Sequence, residues 1–361
     1  MSAGWRAFAD WNLILPVAAC VVLAVVWSQP LGWVLFSLVT ALLIAAVLVG
    51  VHHAEVVALR VGEPFGTLIL ALAVTIIELA LIGSMMISGA SNASSLARDT
   101  VFATVMIVCN GVVGVCLLLG GQKHHTLEFR IEGASHALAV LAPLTVLALV
   151  LPAYTVTTPG PTYSSAQLVF AGVSSLVLYA VFVFVQTVRH RDYFLPVGAG
   201  SDGDHAAPPS LSVALTSLAQ LVISLVAVVG LAKKLAPGIE AGVQQLAAPP
   251  SVVGIAISLL VLLPETWAAL RAALRNRMQT SLNLALGSAL ATIGLTIPAV
   301  AALSMMLGMP LQLGLRPTET ILLALTLLVS VITFASGRST LMHAVVHLVL
   351  FAAFLFLAFV P

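Results

Sequence analysis

Two stretches decide the fold: Ala71-Leu-Ala-Val-Thr75-Ile-Ile-Glu78-Leu-Ala-Leu-Ile82 and Leu259-Leu-Val-Leu-Leu-Pro264-Glu265-Thr266-Trp267. Each is an apolar run broken by one carboxylate near its middle. Such a charge costs roughly 3 kcal/mol on membrane-insertion scales, so it persists mainly where it has a task. Working outward, the 361 residues are 61% apolar and only 7% charged. An ordinary soluble domain has roughly a quarter of its residues charged. The composition excludes a soluble enzyme, a disordered chain and a nucleic-acid binder. The net charge of +1 implies no polyanionic partner.

Apolar runs bounded by charges, Gly or Pro predict spans at 13–28, 31–50, 66–88, 100–120, 136–153, 165–187, 211–232, 251–270, 281–306, 319–335 and 340–360. That makes an all-α integral membrane protein of eleven transmembrane helices. The runs are about twice the length of a barrel strand and lack its alternation. The first run has a poor cleavage site in Trp27-Ser28-Gln29-Pro30, so it reads as a helix rather than a signal peptide. With the N-terminal side counted as one side, ten of the fourteen Lys and Arg fall there and four fall opposite. This split predicts a cytoplasmic N-terminus and an external C-terminus. Cys20, Cys109 and Cys116 are odd in number and lie in apolar runs, which suits core-filling thiols.

The largest polar loop, 188–210, holds Asp192, Asp202, Asp204 and His205. It divides the chain into a first helix at 1–30, five helices at 31–187, the cytoplasmic linker 188–210, and five helices at 211–361. Five is odd, so the second set starts on the opposite side of the membrane from the first. That is the arrangement of inverted repeats, in which secondary transporters often build a midplane site. Glu78 and Glu265 each sit in the second helix of their set, and repeat symmetry predicts that they face one another. Two such carboxylates suit one divalent cation or two protons, and their hard oxygens suit Ca²⁺, Mg²⁺ or Na⁺. Competition between proton and cation for the same oxygens is the chemistry of an antiporter. A purely structural role calls for a basic partner, and no Lys or Arg lies deep in any predicted span.

Other polar groups are weaker candidates. Pro264 lacks an N–H and is expected to loosen the helix and free a carbonyl beside Glu265. Pro298, Gly111 and Gly114 are further helix-spoiling positions. His52-His53-Ala54-Glu55 reads as a solvated helix end, with Glu55 and Glu63 candidates for a cytoplasmic vestibule. His343 and His347, four apart, have the spacing to share a metal, but no Cys or carboxylate neighbours them, so packing is the preferred reading. Lys123-His124-His125 reads as a solvated loop. A channel using the same carboxylates without proton coupling is the second functional class. An intramembrane enzyme is disfavoured: no His-Glu-x-x-His, no pair of deep aspartates and no Walker motif is present.

Several stretches resemble the cation/proton exchangers of the cation/Ca²⁺ antiporter superfamily. Ala54-Glu55-Val-Val-Ala-Leu-Arg60-Val-Gly-Glu63-Pro-Phe-Gly66, followed by Glu78-Leu-Ala-Leu-Ile82, is similar to the family's first conserved repeat. Glu265 followed by Arg275-Asn-Arg-Met278 and Leu284-Ala-Leu-Gly287-Ser288 is similar to the second. Tyr179-Ala-Val-Phe182 through Gln186-Thr187, and Ser336-Gly337-Arg338-Ser339, resemble the sixth helix and last connection. Within the family the chain resembles the bacterial ChaA-type sodium–potassium/proton and calcium/proton antiporters. The resemblance implies an exporter of Ca²⁺, Na⁺ or K⁺ against protons in a bacterial cytoplasmic membrane. It implies no cofactor, and it leaves a homo-oligomer open. Glu78 and Glu265 are then the cation and proton ligands, with Thr75, Asn110 and Ser288 completing the shell. The Gly-Asn-Ala usual before each glutamate of calcium exchangers is absent: Thr75 and Leu262 stand at the Asn positions, and Ala291 replaces a usual Gln. Side-chain oxygens are fewer here, which argues against tight Ca²⁺ binding and leaves room for Na⁺ or K⁺.

Overall fold

The computed structural model describes residues 3–62, 65–87, 93–195, 209–245, 249 and 251–360. Glu63, Asp202, Asp204 and His205 lie outside these. Eleven helices form in chain order: α1 (Ala3–Val26), α2 (Trp33–Val61), α3 (Phe65–Ile87), α4 (Ala93–His124), α5 (Ile131–Ala153), α6 (Ser165–Arg189), α7 (Leu211–Gln245), α8 (Ser251–Leu274), α9 (Met278–Leu307), α10 (Pro317–Phe334) and α11 (Leu341–Phe359). Among the described residues nine are long and apolar enough to cross a membrane, and α1 and α3 contribute the shorter apolar stretches Trp11–Val26 and Leu72–Ile87. The protein is thus an all-α membrane protein, as its composition predicts. Helices satisfy every backbone group internally, which hydrocarbon demands.

The chain divides into two compact units, each drawing on both halves of the sequence. The first comprises Met1–Ala93 and His205–Ala248, and the second Ser94–Asp204 and Pro249–Pro361.

In the first unit α2 packs on α1, α3 and α7. Gly50 admits the close approach: a Cβ there would meet Ser224 Cβ at 3.3 Å and Ile77 Cδ1 at 3.7 Å. α2 and α7 run well past their predicted ends at 50 and 232 because their polar extensions find partners. Lys234 Nζ donates to the Trp27 carbonyl at 2.9 Å, and Lys233 lies over the Trp27 ring. Both cations thereby serve the C-terminal end of α1, where the helix dipole favours positive charge. His53 is not solvated as its neighbours suggested. It is buried, and its Nε2 lies 3.0 Å from the Asn12 carbonyl of α1.

In the second unit α4 is the most enclosed helix, with 89% of its apolar stretch buried. It packs on α8, α9, α10 and α11. The contact with α8 is made by small residues, which let helix backbones approach in a membrane. A Cβ on Gly254 would lie 2.8 Å from both Asp99 C and Thr100 N. One turn on, Ser258 Oγ donates to the Thr100 carbonyl and accepts from Thr104 Oγ1. Gly254→Ala must therefore push two backbones apart. We expect it to cost about 1–3 kcal/mol as overpacking does, read as a lower melting temperature in detergent. Gly287→Ala, whose Cβ would meet nothing within 4 Å, is expected to hold its melting temperature.

At the polar end of this unit a two-stranded ribbon pairs β1 (Leu127–Glu128) with β2 (Arg338–Ser339), antiparallel. Lys123 and His124 are not loop residues: Lys123 Nζ and His124 Nε2 reach the Leu274 carbonyl at the end of α8, at 3.0 and 3.1 Å. The described start of the polar loop is also docked. Phe194 is buried edge-on against Phe182, and its carbonyl accepts from Asn283 Nδ2 at 2.6 Å.

Candidate functional site

Thr75 and Glu78 are three residues apart on α3 and share one of its faces. Both are buried, Glu78 to 1% exposure. They belong to the first unit, as does Glu55, which is exposed on α2. Asn110, Glu265 and Ser288 belong to the second unit.

There, Glu265 is half-buried on α8. Gly254, Ser258, Val261 and Glu265 recur at helical spacing, so Glu265 continues the stripe that packs on α4. The α4–α8 pair is parallel and keeps a nearly constant register. Partners are 154 residues apart at Thr104–Ser258 and 151 at Lys123–Leu274. Glu265 therefore falls level with the stretch from Gly111 to Gly114, just past Asn110. The register slips because α4 is not a uniform α-helix: Ile107–Val112 is a π-turn with Asn110 inside it. α9 carries a second one at Thr292–Thr296, beginning four residues after the half-buried Ser288. Such turns are rare and often mark functional sites. In contrast, α8 stays helical through Pro264. The irregularity expected at Pro264 does not form, whereas the positions Gly111 and Pro298 lie inside and just past the π-turns of α4 and α9; α5 and α6 carry further π-turns at Val146–Val150 and Val185–Arg189.

Asn110 is fully buried, and its carboxamide is engaged at both ends. Its Nδ2 donates to Thr326 Oγ1 of α10 at 2.9 Å. Its Oδ1 lies 3.1 Å from His347 Nδ1 of α11. A carbonyl oxygen can only accept, so Nδ1 carries the proton. In the neutral ring Nε2 then accepts, which makes Thr333 Oγ1 the donor across their 3.0 Å contact. Thr326 in turn donates to Met106 Sδ. The result is a chain of single direction from Thr333 through His347, Asn110 and Thr326. Gly111 and Gly114 let α11 come this close: Cβ atoms there would meet the Phe351 ring at 3.2 Å and Leu348 at 3.0 Å. The two histidines of α11 turn to different partners. His343 turns to its own helix start, where Thr340 N–H donates to its Nδ1, while His347 is buried in the unit.

A polar cluster at the predicted starts of the spans 100–120 and 319–335 lies at the other end of this unit. Arg98, just outside the first of these spans, is buried in the first turns of α4. It pairs with Asp99 at 2.7 Å and donates to the Gly314 carbonyl. Nearby, Arg316 grips Glu319 at 2.7 Å, and Glu319 accepts from the Arg316 backbone N–H to cap α10. These hydrogen bonds hold the Arg316 guanidinium above its ordinary range. Asp99, Arg316 and Glu319 line a cavity of about 260 Å³ with Phe102 and Ser251. Each carboxylate already has its own arginine, so the cluster reads as a structural pairing. Adjacent Arg-Asp and an Arg-x-x-Glu at a helix start were its legible signals. Among the described residues no group of three or more His, Cys, Asp or Glu is placed to hold a metal, which leaves hydroxyl, carboxamide and backbone oxygens to supplement any carboxylate.

The sodium/calcium exchanger protein family matches residues 31–188 and 216–360. The chain is 48% identical over 358 residues to y4hA of Sinorhizobium fredii, a protein named for ionic transport, with 97% of this chain and 96% of that one covered. It is 37% identical over 357 residues to the sodium-potassium/proton antiporter ChaA of Escherichia coli, at 97% and 96% coverage. Among solved structures, native YfkE superposes with a TM-score of 0.74 at 18% identity, covering 97% of this chain and all of that one. On the family match and near full-length identity to an antiporter, the chain belongs to the sodium/calcium exchanger protein family of multi-pass cation exchangers.

Proposed function

We propose that this exchanger is a cation/proton antiporter that exports Na⁺, K⁺ or Ca²⁺ in exchange for protons by alternating access, with Glu78 and Glu265 as the groups that take up cation or protons. One observation carries the reading: the half-buried carboxylate of Glu265 sits on the α8 stripe that packs against α4, level with Gly111 to Gly114 just past Asn110. The burial of Glu78 beside Thr75 on α3 supports its counterpart. Asn110 and Ser288 add neutral oxygens, and Glu55 and Glu63 mark the cytoplasmic approach. The relatives' ions, sodium and potassium for ChaA and calcium for the Ca²⁺/H⁺ antiporter YfkE, set the range to test. Thr75 and Leu262 at the positions of the usual asparagines leave room for the monovalent ions.

In this reading the chain lies in a bacterial cytoplasmic membrane, N-terminus inside and C-terminus outside, as one extra helix plus two inverted five-helix repeats. No cofactor is needed, since the inward proton gradient supplies about 2.3 kcal/mol per net charge per 100 mV. Everted vesicles loaded with acid are to receive Na⁺, K⁺ or Ca²⁺ separately. Release of protons on adding a cation, persisting when the membrane potential is clamped, is the expected result. Cation entry without proton release identifies a channel instead.

A further inference from the structure

His347 is a histidine on the last apolar helix, fully buried, and the antiporter chemistry proposed above does not use it. Its surroundings are built rather than incidental. On α10, Thr326, Ser330 and Thr333 recur at helical spacing and are all at 0–1% exposure, so one polar stripe faces inward along this helix. Polar groups inside a membrane protein are costly and concentrate where they act. On α4 two glycines clear the space for α11 at the level of the imidazole. The Cys109 backbone also hydrogen-bonds the ring. Every hydrogen-bonding group of the Asn110 carboxamide is thereby oriented: amide to Thr326, oxygen to His347.

A carbonyl oxygen has two lone pairs. His347 takes one and leaves the other, while Thr326 turns the NH₂ end away. We propose that His347 is a positioning residue that, with Thr326, holds Asn110 Oδ1 in the orientation in which it binds the transported cation, and so sets the affinity of the site. The proposal rests on the reading that Asn110 belongs to that site. The physical basis is general: partners one shell out fix the orientation of ion ligands, and removing them typically weakens binding about 10–100-fold. His347 itself does not touch the ion.

The test uses the purified full chain in detergent. Affinities for Na⁺, K⁺ and Ca²⁺ are read from the rise in melting temperature as each salt is titrated. Expected are a weakening of about 10–100-fold in His347→Leu and substantial recovery in His347→Gln, whose amide N–H reaches the same oxygen. Asn110→Ala is expected to weaken binding as well, and the double variant Asn110→Ala/His347→Leu to be no worse than Asn110→Ala alone. Thr326→Val, which frees the other end of the carboxamide, is expected to weaken binding too, and it carries the test if His347→Leu does not fold. Wild-type affinity in His347→Leu, alongside weakened Asn110→Ala, overturns the positioning role and leaves the Asn110 reading standing. Additive losses in the double variant also overturn it. Wild-type affinity in Asn110→Ala overturns the reading of Asn110 as a ligand, and the role of His347 with it.

Discussion

Vesicles carrying Glu78→Gln or Glu265→Gln are expected to release no more protons on cation addition than vesicles without the protein. Glutamine keeps the volume and much of the hydrogen bonding of glutamate but can neither lose a proton nor bring a negative charge to a cation. If the two carboxylates alternate between proton and cation, removing either breaks the exchange. Total loss is therefore expected, rather than a graded change in KM. The effect on folding runs the other way. Glu78 is 1% exposed, and a charge in such a place costs several kcal/mol after relaxation. A neutral isostere removes that cost, so the melting temperature without added salt is expected to hold or rise. The pairing of lost exchange with retained stability separates a transport role from a structural one. Exchange surviving in either variant would sink the paired-carboxylate mechanism, whatever the fold.

How far the sequence carried this reading varies with the kind of feature. The eleven spans were legible because apolar run length is a one-dimensional property and hydrocarbon thickness fixes its scale. Their ends were less so. α2 and α7 extend through polar residues whose partners, the Asn12 and Trp27 carbonyls, lie on α1 and just past its end. The π-turns left little trace in hydropathy, since inserting one residue into a helical turn changes geometry and not polarity; Gly111 inside one and Pro298 just past another were their only marks. Asn110 was a candidate only through the family resemblance, and its partners Thr326 and His347 stand 216 and 237 residues away. Helical spacing could have found the stripe of Thr326, Ser330 and Thr333, and the three-residue spacing of Gly111 and Gly114 could have pointed to the close approach of α11 as well as to the irregular turn that contains Gly111. The interleaving of the two compact units was not legible at all, because no local pattern says that residues 205–248 fold with residues 1–93.

The second large effect is expected from Arg98→Ala, which should lower stability by about 3–5 kcal/mol, the range for breaking one side of a buried ion pair. The Asp99 side chain is 4% exposed, and Arg98 supplies its Nε and Nη2 contacts at 2.9 and 2.7 Å. Without them Asp99 keeps only the Ser95 hydroxyl as a hydrogen-bond donor from a side chain, while Glu319 acts on it as a like charge through the same cavity wall. The Gly314 carbonyl also loses the Arg98 Nη1 donor at 3.3 Å. Arg98→Met combined with Asp99→Leu removes both charges at similar volume, and such replacements are often close to neutral. The double variant is therefore expected to melt well above Arg98→Ala, short of wild type by the contribution of the Gly314 contact. Melting curves of the full chain in detergent decide the matter. If Arg98→Ala melts with the wild type, the pair is a surface contact in solution and Asp99 has another counter-charge. If the double variant is as unstable as the single, the guanidinium holds the α4 end through the Gly314 carbonyl, and its charge on Asp99 is secondary.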